Sequence, residues 1–170
     1  THHQEEAMMM SDRIAVMHQG RMWQVGSPRE VYERPCNLFV SRFLGVSNEL
    51  PGTIGASVGG ERVFRPADHE QPSVFVRVAS TEPAGRSATL SLRPEHIRMA
   101  HERLSPSDPV LSGRVEKVLF AGSDTKYLVR ISRDRVWETR MTSDTSPAPF
   151  TAGDSVFLHW SLADARVFVE

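Results

Sequence analysis

Apolar and polar residues alternate most regularly between Gly113 and Ile131, GRVEKVLFAGSDTKYLVRI. In its second part Tyr127, Val129 and Ile131 alternate with Leu128 and Arg130. That period of two puts one set of side chains on one face of a strand. Gly122 and Asp124 supply turn chemistry, so the stretch predicts a hairpin turning at Ala-Gly-Ser-Asp. A Gly-Asp turn at Gly153 then precedes Val156, Leu158 and Trp160, again on one face. Val74, Val76 and Val78 predict a strand, and Leu90 and Leu92 another that ends at Arg93-Pro94-Glu95. Val136–Met141 and Arg166–Val169 complete the set. Short twisted strands with one apolar face bury it by closing into a barrel, which also removes exposed edges.

The first 45 residues read differently. Gln4–Met10 fits a short helix, with Met8-Met9-Met10 as packing material at its end. Ile14, Val16, Met22 and Val25 flank His18-Gln19-Gly20 as a hairpin. Ser27-Pro28-Arg29-Glu30 starts a helix: Ser27 caps, Pro28 suits the first position and Glu30 sits at the capping-box position. Pro35 ends it. Asn37 caps the next helix, which carries Phe39, Val40, Phe43 and Leu44 as an apolar stripe and stops at Gly45. From Val46 to Ser87 the helical period disappears and Gly, Pro, Ser and Ala become frequent. The predicted boundary lies near residues 46–50, giving segments 1–48 and 49–170. The sequence shows no clear repeat.

Composition narrows the function classes. A net charge of −1 over 170 residues gives no overall attraction to a polyanion. No run approaches the roughly 18 apolar residues of a membrane span. The single cysteine, Cys36, has no internal partner and reads as a packed or half-exposed thiol, which fits a reducing compartment. The chain opens at Thr1 without Met, in what reads as the middle of a motif, so a fragment of a longer protein is expected. His2 and Glu6 stand four apart on a helix face, but two ligands do not make a zinc site.

The order of motifs carries a family resemblance. Thr1-His2-His3-Gln4-Glu5-Glu6-Ala7, Ser11-Asp12-Arg13-Ile14-Ala15-Val16-Met17, Gln24-Val25-Gly26-Ser27-Pro28 and Phe39–Gly45 resemble the tail of the nucleotide-binding domain of ABC importer ATPases of the maltose and polyamine type. Leu92-Arg93-Pro94-Glu95-His96-Ile97-Arg98, Gly113–Val129, Gly153–Trp160 and Asp164–Val167 resemble the transport-associated OB-type (TOBE) regulatory domain of that family. The resemblance implies a mainly β fold: one or two OB-like barrels over 49–170, preceded by a short α/β remnant. It puts His2 at the family's switch histidine, whose imidazole donates to the γ-phosphate of ATP and orients the attacking water. His3 stands where the family has Asp. It also implies a subunit at the cytoplasmic face of the inner membrane that couples ATP hydrolysis to solute uptake. That subunit uses ATP and Mg and pairs with a second copy and with transmembrane permease subunits.

The phosphate-binding pattern G-x-x-x-x-G-K-[ST] and the Leu-Ser-Gly-Gly-Gln signature do not occur in the 170 residues, so this chain alone is expected to bind no cofactor and to be inactive. One alternative is an OB module that binds nucleic acid, with Phe120, Tyr127, Trp137 and Trp160 as stacking platforms. Against it stand the net charge and the alternation, which puts Tyr127 and Trp160 on the core face. The other is a sensor for an oxyanion or solute. For Arg93 and Glu95, a surface ion pair and a role in fixing the β domain to its neighbour remain open.

Overall fold

The computed structural model describes residues 4–78, 82–104, 108–142 and 149–169. The chain divides into two compact units, Thr1–Ser47 and Asn48–Glu170.

The first unit contains helix α1 (Gln4–Met10), strands β1 (Ile14–His18) and β2 (Arg21–Gly26), and helices α2 (Pro28–Glu33) and α3 (Leu38–Phe43). β1 and β2 pair antiparallel around Gln19-Gly20, both at positive φ (49° and 73°), as a tight two-residue hairpin requires. The caps form where the residues predict them. Ser27 Oγ accepts from the Glu30 amide at 3.3 Å, and Asn37 Oδ1 from the Val40 amide at 2.9 Å. Val16, Val31, Val40 and Leu44 form a small core. Gln24 ties the α2–α3 connection to β2. Its Nε2 donates to the Arg34 carbonyl at 2.9 Å and its Oε1 accepts from the Cys36 amide at 2.8 Å. Two expectations fail here. Met9 and Met10 are exposed, Met10 to 86%, on the last turn of α1, while Met8 is half-buried. Cys36 is exposed as well, on the turn into α3.

Among the described residues the second unit holds ten strands: β3 (Asn48–Val58), β4 (Glu61–Pro66), β5 (Val74–Val76), β6 (Ser87–Leu92), β7 (Arg98–Ala100), β8 (Val110–Phe120), β9 (Asp124–Ser132), β10 (Arg135–Thr142), β11 (Ser155–His159) and β12 (Arg166–Val169). They form two antiparallel five-stranded sheets, ordered β12-β6-β3-β4-β5 and β10-β9-β8-β11-β7. The protein is mainly β, as expected.

The two sheets share one plan. Each has an eleven-residue strand, β3 or β8, interrupted by a register shift at Ile54/Ser57 or Val115/Lys117. Such a bulge increases local twist and curls the sheet. At the bulge the hydrogen bonds coincide. Ile54 donates to the Arg86 carbonyl and accepts from Gly85; Val115 donates to the Asp154 carbonyl and accepts from Gly153. Gly85 and Gly153 have φ of 89° and 99°, a conformation that favours glycine. Gly52 corresponds to Gly113, Leu90 to Leu158 and Leu92 to Trp160.

The last strand of each plan is exchanged. β7 follows β6 in the chain but pairs with β11, Arg98 opposite His159. β12 follows β11 but pairs with β6, Arg166 opposite Ser91. Arg98 and Arg166 therefore occupy matching places, each on the sheet of the other half. One continuous core runs through both sheets and includes Leu50, Ile54, Phe64, Leu92, Tyr127, Val129, Trp137 and Trp160. Trp137 and Trp160 pack with ring centroids 6.0 Å apart, and Tyr127 meets Phe150 edge-on at 5.8 Å.

Two side-chain amides bind the halves further. Asn48 Nδ2 donates to the Glu138 carbonyl at 2.7 Å while its Oδ1 accepts from the Glu138 amide at 2.8 Å, so the side chain acts as one more rung beside β10. Gln71, on the β4–β5 connection, does the same for β8. Its Oε1 accepts from the Ser112 amide at 3.1 Å, and its Nε2 donates to the Ser112 carbonyl at 2.8 Å and to the Ile131 carbonyl.

Candidate functional site

His2, the site residue expected from the sequence, and His3 lie outside the described residues. Among the described residues no cluster of three or more His, Cys, Asp or Glu is placed to hold a metal. No helix among them is long and apolar enough to cross a membrane.

The Arg93-Pro94-Glu95 corner is not a pair of surface charges. Arg93 is only 6% exposed and Pro94 is buried, opening a 3-10 turn (Pro94–His96), while Glu95 faces solvent. Tyr127, Trp137 and Trp160 are buried in the core, as the alternation predicts for Tyr127 and Trp160. None of the three is free to stack on a base. Phe120, 77% exposed, stands at the end of β8.

The outer face of the second sheet concentrates charge that the net value hides. Arg114 and Lys117 on β8, Lys126 and Arg130 on β9 and Arg140 on β10 share it with Glu116 and Glu138. Glu138 Oε1 serves two of these cations, Arg140 at 2.8 Å and Lys126 at 4.0 Å. At one end lies a groove of about 410 Å³, bounded by Gln71, His101, Ser112, Arg114, Arg130 and Phe157, with Glu70 on its wall. The depression is shallow and open to solvent.

The β8–β9 register sets Arg114 directly opposite Arg130. Arg130 Nε meets Glu116 Oε1, and its Nη1 donates to the Arg133 carbonyl at 2.8 Å. Arg114 Nε donates to the Gly153 carbonyl at 3.0 Å. That carbonyl belongs to the turn closed by Thr151 and Asp154, in which the Thr151 amide donates to Asp154 Oδ2 at 2.7 Å. Beside the groove, His159 is fully buried and its Nε2 accepts from the Leu104 amide at 3.3 Å. Burial pushes its pKa down, opposed by the Glu102 carbonyl and the charge of Asp108 and helped by Arg98 and Arg103. Accepting from the Leu104 amide requires Nε2 to be the ring nitrogen without a proton. Sequence reasoning missed this groove. Its only sequence signal is that Arg114 and Arg130 both fall on the polar side of the predicted hairpin.

Comparison with known proteins gives this β architecture a class. Residues 90–168 match the TOBE domain family, a segment that runs from within β6 to β12 and so takes in the whole second sheet and both exchanged strands. The cytoplasmic molybdate-binding protein ModG, in its molybdate-bound structure, superposes with a TM-score of 0.60 at 13% identity, over 72% of this chain and 96% of ModG. That likeness establishes an OB-like fold. Along nearly its full length the chain is similar to spermidine/putrescine import ATP-binding proteins. It is 35% identical to that of Rubrobacter xylanophilus over 98% of the chain, and 38% identical to that of Acidothermus cellulolyticus over 94%. The chain spans 42% of the length of each of these relatives. The chain thus carries a TOBE domain and, over nearly its full length, is similar to part of the ATP-binding subunits of ABC importers.

Proposed function

We propose that the chain is the C-terminal part of the ATP-binding subunit of a polyamine-type ABC importer, with residues 1–48 ending the nucleotide-binding domain and residues 49–170 forming its regulatory domain. The observation that carries this reading is the span of the similarity. The Rubrobacter protein matches 98% of the chain, the α/β unit as well as the β unit. In the complete subunit ATP and Mg are held by residues outside this chain, and His2 reaches the γ-phosphate as a hydrogen-bond donor. The subunit acts at the cytoplasmic face of the membrane, pairs with a second copy of itself and docks on permease subunits. ATP then drives a two-state closure at the dimer interface, and the β unit biases that equilibrium.

The test is steady-state ATP hydrolysis by the complete subunit bearing His2→Ala. Loss of one transition-state donor should lower kcat by about 10²–10³. The 170-residue chain alone should release no phosphate from MgATP. Turnover by the chain alone, or an unchanged kcat in the His2→Ala subunit, contradicts the proposal.

A further inference from the structure

We propose that the groove at the end of β8, β9 and β11 is a binding site for a small molecule bearing a phosphate or carboxylate group, held by Arg114 and Arg130. The inference stands on the groove and does not depend on the importer reading.

The charge arrangement comes first. Like charges directly opposite in an antiparallel pair destabilise it, and Arg114 faces Arg130 across the β8–β9 ladder. Glu116 compensates Arg130 alone. Arg114 makes one hydrogen bond among the described residues, from Nε to Gly153, and meets no carboxylate there. Its terminal nitrogens remain as donors in the fork geometry that suits carboxylate and phosphate oxygens. An anion at the terminal nitrogens of Arg114 gives that guanidinium the carboxylate-like partner that Arg130 already has in Glu116.

The site is also built. Gln71 fixes the backbone of Ser112 and Ile131 beneath the groove, and the Thr151–Asp154 turn holds the carbonyl that anchors Arg114. Phe157 and His101 add ring surface to the lining, which accommodates an organic body behind the anionic group. Glu70 sets a limit on the ligand. Its Oε2 accepts from the Arg133 amide at 3.0 Å, and its charge on the groove wall disfavours a ligand that is anionic throughout. The ligand that fits carries its negative charge at one end.

The other half of the unit serves as an internal control. Where the second sheet has Ser112, Arg114 and Phe157, the matching places of the first hold Pro51, Thr53 and Thr89. The shared plan therefore does not require an arginine opposite Arg130.

Titration of the isotopically labelled 170-residue chain with inorganic phosphate, and separately with acetate, at constant ionic strength tests the site and distinguishes the two anion classes. Saturable amide shifts at Ser112–Arg114 and Arg130–Ile131 are expected with at least one of them. Arg114→Gln should weaken that binding at least ten-fold. Arg114→Lys, which keeps the charge without the fork, should lose less. Lys117→Gln, on the same face but outside the groove, should change it less than two-fold. Near-ultraviolet circular dichroism of Trp137 and Trp160 confirms that each variant is folded. The proposal fails if neither anion saturates these shifts by about 10 mM, or if Arg114→Gln and Lys117→Gln weaken binding equally.

Discussion

In the first half of the β unit Gly52, Thr53 and Ile54 enter the bulge of β3, with Phe64 opposite Ile54 and Leu92 at the end of β6. In the second half the matching places hold Gly113, Arg114 and Val115, with Val129 opposite Val115 and Trp160 just past β11. Three kinds of position behave differently. Backbone-limited ones are identical: Gly52 and Gly113, Gly85 and Gly153. Inward ones stay apolar and exchange volume, Phe64 with Leu92 against Val129 with Trp160. On the opposite face some places diverge in chemistry, Thr53 against Arg114 and Thr89 against Phe157, while others keep it, Arg65 with Arg130 and Arg166 with Arg98. Backbone sterics and core volume thus fix the shared plan and constrain only part of the other face.

If the halves share one core through their exchanged strands, damage to either must weaken both. Trp160→Ala should cost about 4 kcal/mol and its counterpart Leu92→Ala about 3 kcal/mol. Each should lower the midpoint of one common urea transition, read by tryptophan fluorescence and far-ultraviolet circular dichroism together. Two separated transitions would divide the halves.

The glycine pair sharpens the comparison. A Cβ on Gly52 would lie 2.2 Å from the Arg65 carbonyl oxygen, and one on Gly113 would lie 2.5 Å from a Val129 methyl and 2.9 Å from the Arg130 carbonyl oxygen. Gly52→Ala meets backbone that cannot turn aside and should cost about 3 kcal/mol; Gly113→Ala should cost about 2 kcal/mol. Thermal unfolding gives the order, and an equal or reversed pair would break it.

These glycines also explain what the sequence reveals and what it hides. Tyr127, Val129 and Ile131 announce β9 because bulky residues fill every inward place. In β3 the inward places are Leu50, Gly52 and Ile54, so the alternation is present but passes through a glycine, with Pro51 beside it. β3 is hidden for that reason, and the repeat with it, although β5 and β6 of the same sheet are legible from Val74–Val76 and from Leu90 and Leu92. The exchange is hidden because β7 and β12 are short and nothing local names their partners. Counting back from the Ala121–Ser123 turn, Phe120 faces Thr125, and an unbroken ladder would bring Arg130 opposite Val115. The bulge between Val115 and Lys117 moves Arg114 into that place. The groove thus rests on one extra residue in a strand, which alternation alone does not announce.

The two amide clamps come next in size. Asn48→Ala leaves the Glu138 amide and carbonyl without these bonds, and Gln71→Ala does the same at Ser112 and Ile131. Each should cost about 1–3 kcal/mol in the same denaturation experiment. A loss confined to one half would again separate them.

The smallest effect is a pH dependence carried by the second half alone. His159 matches Ser91 and has its pKa lowered by burial from 6.5. The unfolded chain then binds the proton more readily than the folded one. His159 therefore lends no penalty above pH 6.5, and stability declines as pH falls below it. His159→Gln should flatten that decline. A decline of the same size in the variant would assign it to other groups.

The most direct test of the exchanged-strand architecture is native-state hydrogen exchange at two matching amides, Ile54 and Val115, bonded to the carbonyls of Arg86 and Asp154. If the halves are one cooperative body, both amides exchange with the same opening free energy and respond alike to urea. Two distinct opening energies, with one amide exchanging while the other stays protected, would show that each half opens by itself and would contradict the account.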